Sequence, residues 1–275
     1  MGGNSIGKIL ALTTFGESHG IATGGVIDGF PPDIAIDPGL IRTEMSRRRP
    51  GYTPGSSPRR EEDLVEILSG LYNGRSTGAP IAFLIRNQDA RPSDYEPLRE
   101  IFRPSHADFT WYVKYGLRDY RGGGRVSARE TAARVAGGAI VKQFLMTRGI
   151  TVTSRIDSIG PCTLAEGTEM HDDPMISAFL NELRAEGDTT GGIVAVSIAG
   201  VPAGLGEPVF DKLEADLAKA MMSIPSVKGF ESGSGFAGTR MRGSAHNDRF
   251  IREKGKIVTQ TNHSGGIQGG ISNGM

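Results

Sequence analysis

Apolar and polar positions along this chain recur with two different periods, and those periods predict most of its elements. Helical spacing is clearest over residues 127–148, where Ala132, Val135, Ala136, Ala139 and Ile140 share one face and Gly149 stops the run. Over 173–186, Ile176, Phe179, Leu180 and Leu183 share a face behind an Asp173 cap and Pro174 at the first helical position. Asp37 and Pro38 open a helix through Arg48 in the same way, with Pro50 beyond it. Residues 61–69 place acids in a first turn and run to Gly70, and residues 208–222 space Leu213, Leu217 and Met221 four apart. Strands are predicted at 7–14, 24–30, 79–86, 150–157 and 192–200. The last is nearly all apolar and β-branched, so it is expected to be buried. The elements interleave without a strict βαβ beat, which predicts an α+β fold. No fixed-period repeat and no Pro/Ser linker divides the chain, so a single domain over residues 1–275 is expected.

Composition narrows the function classes. Hydrophobic residues make up 37% and charged residues 23% of 275, a globular balance. The 31 basic and 31 acidic residues cancel, which argues against a general nucleic-acid binder. Only Tyr52 interleaves the basic stretch at 42–60, too few aromatics for a single-strand stacking surface. One cysteine, Cys162, rules out an internal disulfide framework and predicts a reducing compartment. The N-terminal MGGNSIGKIL lacks the apolar core of a signal peptide, and no apolar run approaches the ~20 residues of a membrane span. A cytoplasmic protein is expected.

Charge and glycine are unevenly placed, and here candidate chemistry enters. Arg42, Arg47, Arg48, Arg49, Arg59 and Arg60 crowd one segment, either as a solvated basic face or as a pocket for a small polyanion. Residues 121–130, RGGGRVSARE, set Gly122, Gly123 and Gly124 between Arg121 and Arg125, just before a predicted helix start. Ser127 and Glu130 have capping-box spacing. Glycines admit close backbone approach, and a helix N-terminus offers free N–H groups to an anion. This stretch reads either as an anion site or as a loop leading into a capped core helix. It matches neither the dinucleotide nor the P-loop pattern.

Five histidines are present, and none has zinc-motif spacing. His19 in FGESHG and His106 in FRPSHADFT lie in loops, where an imidazole can serve as acid or base or simply hold the loop by hydrogen bonds. GESHG departs from the G-x-S-x-G nucleophile elbow, so a serine hydrolase is not indicated.

Taken together, TTFGESHG (13–20), MSRRRPG (45–51), the run from Phe102 to Ile140, the run from Gly200 to Phe236 and NHSGGIQGGISNG (262–274) resemble the chorismate synthase family in the family's own order. The resemblance implies a β-α-β sandwich with helices packed between antiparallel sheets. It implies 1,4-elimination of phosphate from 5-enolpyruvylshikimate 3-phosphate to give chorismate, dependent on reduced FMN and without net redox change. It also implies a homotetramer. A substrate with one phosphate and two carboxylates suits clustered guanidinium forks. Carried over position by position, the resemblance makes His19 and His106 catalytic, His19 assisting the leaving phosphate and His106 protonating the flavin near N1. Arg125, Val126, Ser127, Pro225, Ser226 and Gly269 match flavin-contact positions, and Arg48 and Arg103 match positions for substrate or NADP.

This sequence departs from the family pattern at several points. Val126 replaces a usual serine, Ser226 replaces a common alanine, and Pro54 stands where many members carry an arginine of the nucleotide pair. The last weakens the case for NADPH as this protein's own flavin reductant. The family's Lys-Pro-Thr loop and its Arg-His-Asp-Pro segment, which carries a catalytic aspartate, are not found within residues 1–275. The chain is therefore expected to be C-terminally truncated. The alternative reading is a catalytically impaired relative that binds flavin or polyanions.

Overall fold

A computed structural model describes residues 2–49, 59–165, 167–168 and 170–275. Pro50 and Pro54 fall outside them. The elements in chain order begin with β1 (Ser5–Gly7), β2 (Ala11–Gly16), β3 (Ala22–Asp28), α1 (Pro38–Arg48), β4 (Val65–Ile67), β5 (Leu71–Tyr72), β6 (Arg75–Ser76) and β7 (Ile81–Arg86). They continue with α2 (Asp108–Tyr115), α3 (Thr131–Thr147), β8 (Thr151–Ile159), β9 (Cys162–Thr163), α4 (Pro174–Glu186) and β10 (Gly192–Ala199). The last are α5 (Leu213–Met222), α6 (Gly243–His246), β11 (Phe250–Glu253), β12 (Lys256–Thr259), β13 (Ile267–Gln268) and β14 (Ile271–Ser272). The class is α+β, as expected. The chain forms two compact units: residues 1–145 with 152–197, and residues 146–151 with 198–275.

In the first unit, β1-β2-β3-β7-β4 form a sheet whose neighbours all run antiparallel. One face of this sheet carries the core. Ile27, Ile81, Phe83 and Ile85 are fully buried there, packed with Ile41 and Met45 of α1 and with Ala132, Ala133, Ala136, Ala139 and Ile140 of α3. The alanine face of α3 permits close helix–sheet approach. Each buried isoleucine contributes roughly 1.5–3 kcal/mol. The second sheet, ordered β10-β8-β9, shares a smaller core in which Ile176, Phe179 and Leu180 of α4 pack with Ile156, Ile159, Cys162 and Leu164.

In the second unit, β11 pairs β12 and β13 pairs β14 as antiparallel hairpins. Gly269 (φ 62°) and Gly270 (φ 88°) make the two-residue turn between β13 and β14, which needs positive φ at both positions. Asp248 braces the preceding loop, accepting from Thr261 Oγ1 (2.7 Å), His263 N (2.8 Å) and Ser264 N (2.8 Å).

Several expectations change. Residues 7–14 are not one strand: Gly7 turns at φ 98° and separates β1 from β2. Residues 61–69 form no helix. Their acids are spent on arginines and backbone amides, and Val65–Ile67 pairs instead with β7. The helix at 208–222 starts only at Leu213, because Glu207 and Asp211 close a turn through mutual backbone bonds of 2.8 and 3.1 Å. The helix predicted from Ser127 starts at Thr131, after a 3₁₀ turn over Ala128–Glu130. Finally, β10 is exposed along most of its length rather than buried. It lies at an edge of its sheet, and the contacts that would bury it are absent from the described residues.

Candidate active site

The site is built in the first unit around residues 122–124. Gly122, Gly123 and Gly124 have φ of 62°, 84° and 54°, three successive left-handed residues that any side chain would strain. This path folds the chain back against two loops. The backbone N–H of Ser18 donates to the carbonyl of Gly124 (3.1 Å), which ties the loop after β2 to the glycines. A Cβ on Gly122 would come within 2.5 Å of His19 Nε2, and one on Gly123 within 3.0 Å of His106 Nε2. Two histidines 87 positions apart in sequence thus lie against consecutive glycines.

His19 follows β2 in a loop held by Asn87, whose Nδ2 donates to the carbonyls of Glu17 (3.0 Å) and Gly20 (2.8 Å). His19 Nδ1 accepts the Arg91 backbone N–H (3.1 Å), and its ring meets Tyr95 edge-on at 4.9 Å. Partial burial and the nearby Arg59 guanidinium push the His19 imidazole below its ordinary pKa.

His106 sits in the turn before α2, one residue after the left-handed Ser105 (φ 57°). Its Nδ1 lies 3.1 Å from Asp108 Oδ1 and 3.2 Å from Arg103 Nη2. Asp108 is buried, and Arg103 grips it through its backbone N (3.2 Å), Nε (2.8 Å) and Nη2 (3.0 Å). Arg118 Nη1 stands 3.3 Å from the same carboxylate. Burial works to raise the Asp108 pKa, but the Arg103 hydrogen bonds outweigh it and hold the carboxyl at about 2.

A second cluster lies behind His19. Arg48 Nη2 donates to Asp63 Oδ2 (2.7 Å), and Arg129 pairs with the other oxygen of Asp63. Arg129 Nη2 is also 3.7 Å from Glu61, which takes Arg59 Nε at 2.7 Å. Arg59 in turn donates to Ser18 Oγ (3.1 Å) and to the Ser18 carbonyl (3.0 Å). Three guanidinium groups and two carboxylates make up this chain of ion pairs beside His19. Buried Arg48 Nε and Arg125 Nη1 have no hydrogen-bond partner among the described residues.

The arrangement meets the sequence reading unevenly. His19, His106, Arg103 and the glycines come together. Arg48 enters the ion-pair chain at the end of α1. Arg125 turns its guanidinium to the Thr14 carbonyl (3.0 Å) and to Asn4 (3.2 Å), so only its backbone follows the glycine turn. Val126 closes that 3₁₀ turn, and Ser127 caps the next, its Oγ accepting from Arg129 N at 3.4 Å. The expected capping box stays half-made, because Glu130 accepts instead from Thr14 Oγ1 (3.1 Å) and Arg134 (2.8 Å). Pro225, left-handed Ser226 (φ 69°) and Gly269 belong to the second unit. Sequence reasoning missed Asp108, Glu61, Asp63 and Arg129, and named Arg59 only as part of the basic run at 42–60. The available signal was the excess of arginine at 42–60, which needed acids from the neighbouring EED run.

Comparison with known proteins gives one consistent answer. The family model described as chorismate synthase matches residues 10–275. The chorismate synthase of Opitutus terrae is 50% identical over 98% of this chain and 79% of its own length. That of Methanosarcina mazei is 50% identical over 100% of this chain and 80% of its own. A solved structure titled as a crystal structure of chorismate synthase superposes with TM-score 0.81 at 32% identity, covering 98% of this chain and 82% of that one.

Proposed function

This chain belongs to the chorismate synthase family, and we propose that the residues gathered at Gly122 and Gly123 carry out the family's elimination on reduced FMN. It is a lyase of aromatic amino acid biosynthesis that makes chorismate from 5-enolpyruvylshikimate 3-phosphate. In the substrate, a C–H and a C–O(phosphate) bond break at the two ends of one allylic unit, H–C–C=C–C–O, so phosphate and one proton leave, a conjugated diene forms, and there is no net oxidation or reduction.

The seating of His19 and His106 against two consecutive left-handed glycines carries this reading. It sets two proton-handling rings against one backbone turn. The donor set suits a phosphate- and carboxylate-bearing substrate with a flavin phosphate: Arg103 beside His106, the Arg48–Arg59–Arg129 chain, and orphaned buried N–H groups on Arg48 and Arg125. Arg125, Val126 and Ser127 would hold the flavin at the glycine turn, and the assignment of Pro225, Ser226 and Gly269 as flavin contacts rests on the family resemblance alone. When bound, reduced FMN would supply electron density to the elimination. His19 would assist the departing phosphate, His106 would hold a proton toward the flavin, and Arg48 and Arg103 would bind substrate anions. Reducing equivalents come from outside the chain, with NADPH a candidate donor.

The family match across residues 10–275 supports reading both units as one domain. The exposed apolar β10 supports a homotetramer. Among the described residues no helix is long and apolar enough to cross a membrane, and with one cysteine and a biosynthetic reaction we place the protein in the cytoplasm.

The test is anaerobic incubation of substrate with pre-reduced FMN and this protein, following chorismate absorbance and released phosphate. One phosphate per chorismate is expected. His106→Ala is expected to lower kcat by about 10²–10⁴-fold with flavin still bound. Wild-type turnover by that variant would remove His106 from the chemistry.

A further inference from the structure

We propose that Asn87 is a positioning residue for the elimination: its side-chain amide fixes the turn that carries His19 and registers that turn against the Arg129–Asp63–Arg48 ion pairs. The inference rests on reading His19 as a reacting group, and it names what holds that ring in place. The amide acts through the backbone of the turn.

β7 lies between β3 and β4, so its register is fixed on both sides. Asn87 follows the last residue of β7 and continues the ladder by one bond, its backbone N–H donating to the Ile21 carbonyl (3.0 Å). Its side chain is thereby held beside the β2–β3 connection, residues 17–21. That connection folds as a turn in which Gly20 N donates to the Glu17 carbonyl (3.2 Å), with Ser18 and His19 at the two central positions. Asn87 Nδ2 donates to the carbonyls at both ends of this turn, Glu17 at 3.0 Å and Gly20 at 2.8 Å. Ser18 has tethers of its own, from Arg59 to its hydroxyl and carbonyl and from its N–H to Gly124. The side of the turn that follows His19 is held by Asn87.

The other end of the amide meets a donor. Arg129 Nε donates to Asn87 Oδ1 at 2.9 Å, while Nη1 of the same guanidinium pairs with Asp63, which accepts from Arg48 Nη2 at 2.7 Å. Two carbonyls demand N–H groups and a guanidinium demands an oxygen, so the partners fix which way the amide points and occupy both its hydrogens and its oxygen. A carboxylate in this place could accept from Arg129 but could give nothing to the two carbonyls. One side chain thus joins the His19 turn to the ion pairs that hold Arg48. Misplacing a reacting group by ~1 Å can cost about 10²-fold in rate, so loss of such a holder is felt in kcat while the fold persists.

The experiment compares the native protein with two variants. Asn87→Asp keeps the shape and the acceptor but removes both donors, and Asn87→Ser is uncharged and too short to span from the turn to Arg129. Ser76→Ala is the structural control, since it removes two hydrogen bonds of a buried hydroxyl in the same unit, to the Pro31 carbonyl (2.6 Å) and from Ile34 N (2.9 Å). Two readings are taken: kcat and KM with pre-reduced FMN, and the ring signals of isotope-labelled histidine by NMR on the whole protein without flavin, assigned with His19→Ala and His106→Ala. Both Asn87 variants should lower kcat by about 10²-fold with KM little changed, because Asp63 still holds Arg48. Both should shift the His19 signal and leave that of His106 in place, and Ser76→Ala should match the native protein in each reading. A folded Asn87 variant with the native His19 signal overturns the proposal. An equal loss of kcat in Ser76→Ala also overturns it, by making the effect one of general stability. A shifted His19 signal with native kcat sustains the hold of Asn87 on the ring and removes His19 from the chemistry, so the functional reading falls instead. If Asn87→Asp does not fold, Asn87→Ser decides by the same readings.

Discussion

A methyl group at position 122 would have no room. Gly122 sits at φ 62°, and its missing Cβ would overlap the His19 ring, 2.5 Å from Nε2. Left-handed strain alone costs a side chain about 1–2 kcal/mol. Gly116 offers a control, since it has φ 72° with nothing within 4 Å of its Cβ position. Gly122→Ala should therefore lose at least as much stability as Gly116→Ala in urea titrations, since it adds the overlap with His19 to the same left-handed strain. Only Gly122→Ala should lose activity, by at least ~10-fold, because small displacements of a reacting group are enough for such losses. Equal activity in the two variants would mean that the glycine seat does not position His19. Asp108 makes a prediction of a different kind. Its carboxyl titrates at about 2 in the folded chain against an ordinary 3.8. A depressed carboxylate stabilises the fold above its unfolded pKa, and that stability is lost as pH falls from 3.8 toward 2. The shift corresponds to about 2 kcal/mol. Unfolding free energies measured across that acid range should fall more steeply for the native protein than for Asp108→Asn, and parallel curves would contradict the pairing.

Among the elements, legibility tracked whether the deciding interactions are local. The start of α4 could be read directly: Asp173 Oδ1 accepts from Met175 N (2.9 Å) and Ile176 N (3.1 Å), Pro174 follows, and Gly187 ends the helix at φ 69°. All of these groups lie inside or beside the helix, so a single sequence contains the whole argument. The EED run at 61–63 carries the same surface signature and folds otherwise. Glu61 goes to Arg59 and to the amides of Gln88 and Asp89, and Asp63 goes to Arg48 and Arg129. Partners up to 66 positions away decided that segment, and no periodicity encodes them. The same division holds at the site. His19 and His106 were visible as loop histidines in motifs, and the family resemblance named them. Their meeting on Gly122 and Gly123, and the role of Asp108, follow from a left-handed turn whose destination the sequence does not state.

For the molecule as a whole, β10 poses the largest unsettled question. It lies at the edge of its sheet, yet Ile193 is 60% exposed, Val194 61%, Val196 50% and Ile198 38%. An edge strand in water is ordinarily blunted by charge, proline or cover, because its free backbone and apolar side chains recruit other chains. Between Gly192 and Ala199 there is no charged residue and no proline. Leaving such a strand bare costs the hydrophobic free energy that burial would return, about 25 cal/mol per Å² of apolar surface. A symmetric contact with further copies of the chain would recover it, as most soluble oligomers do. Sedimentation equilibrium at micromolar concentration should therefore report an oligomer, a tetramer if the family resemblance extends to assembly. Val194→Asp should shift the population to smaller species with the circular dichroism of the native fold, since the substituted side chain is already open to solvent in the single chain. A monomeric wild type would refute the oligomer. A tetrameric Val194→Asp would keep the oligomer and move its contacts off β10, leaving the exposure of that strand to be met by a partner other than this chain.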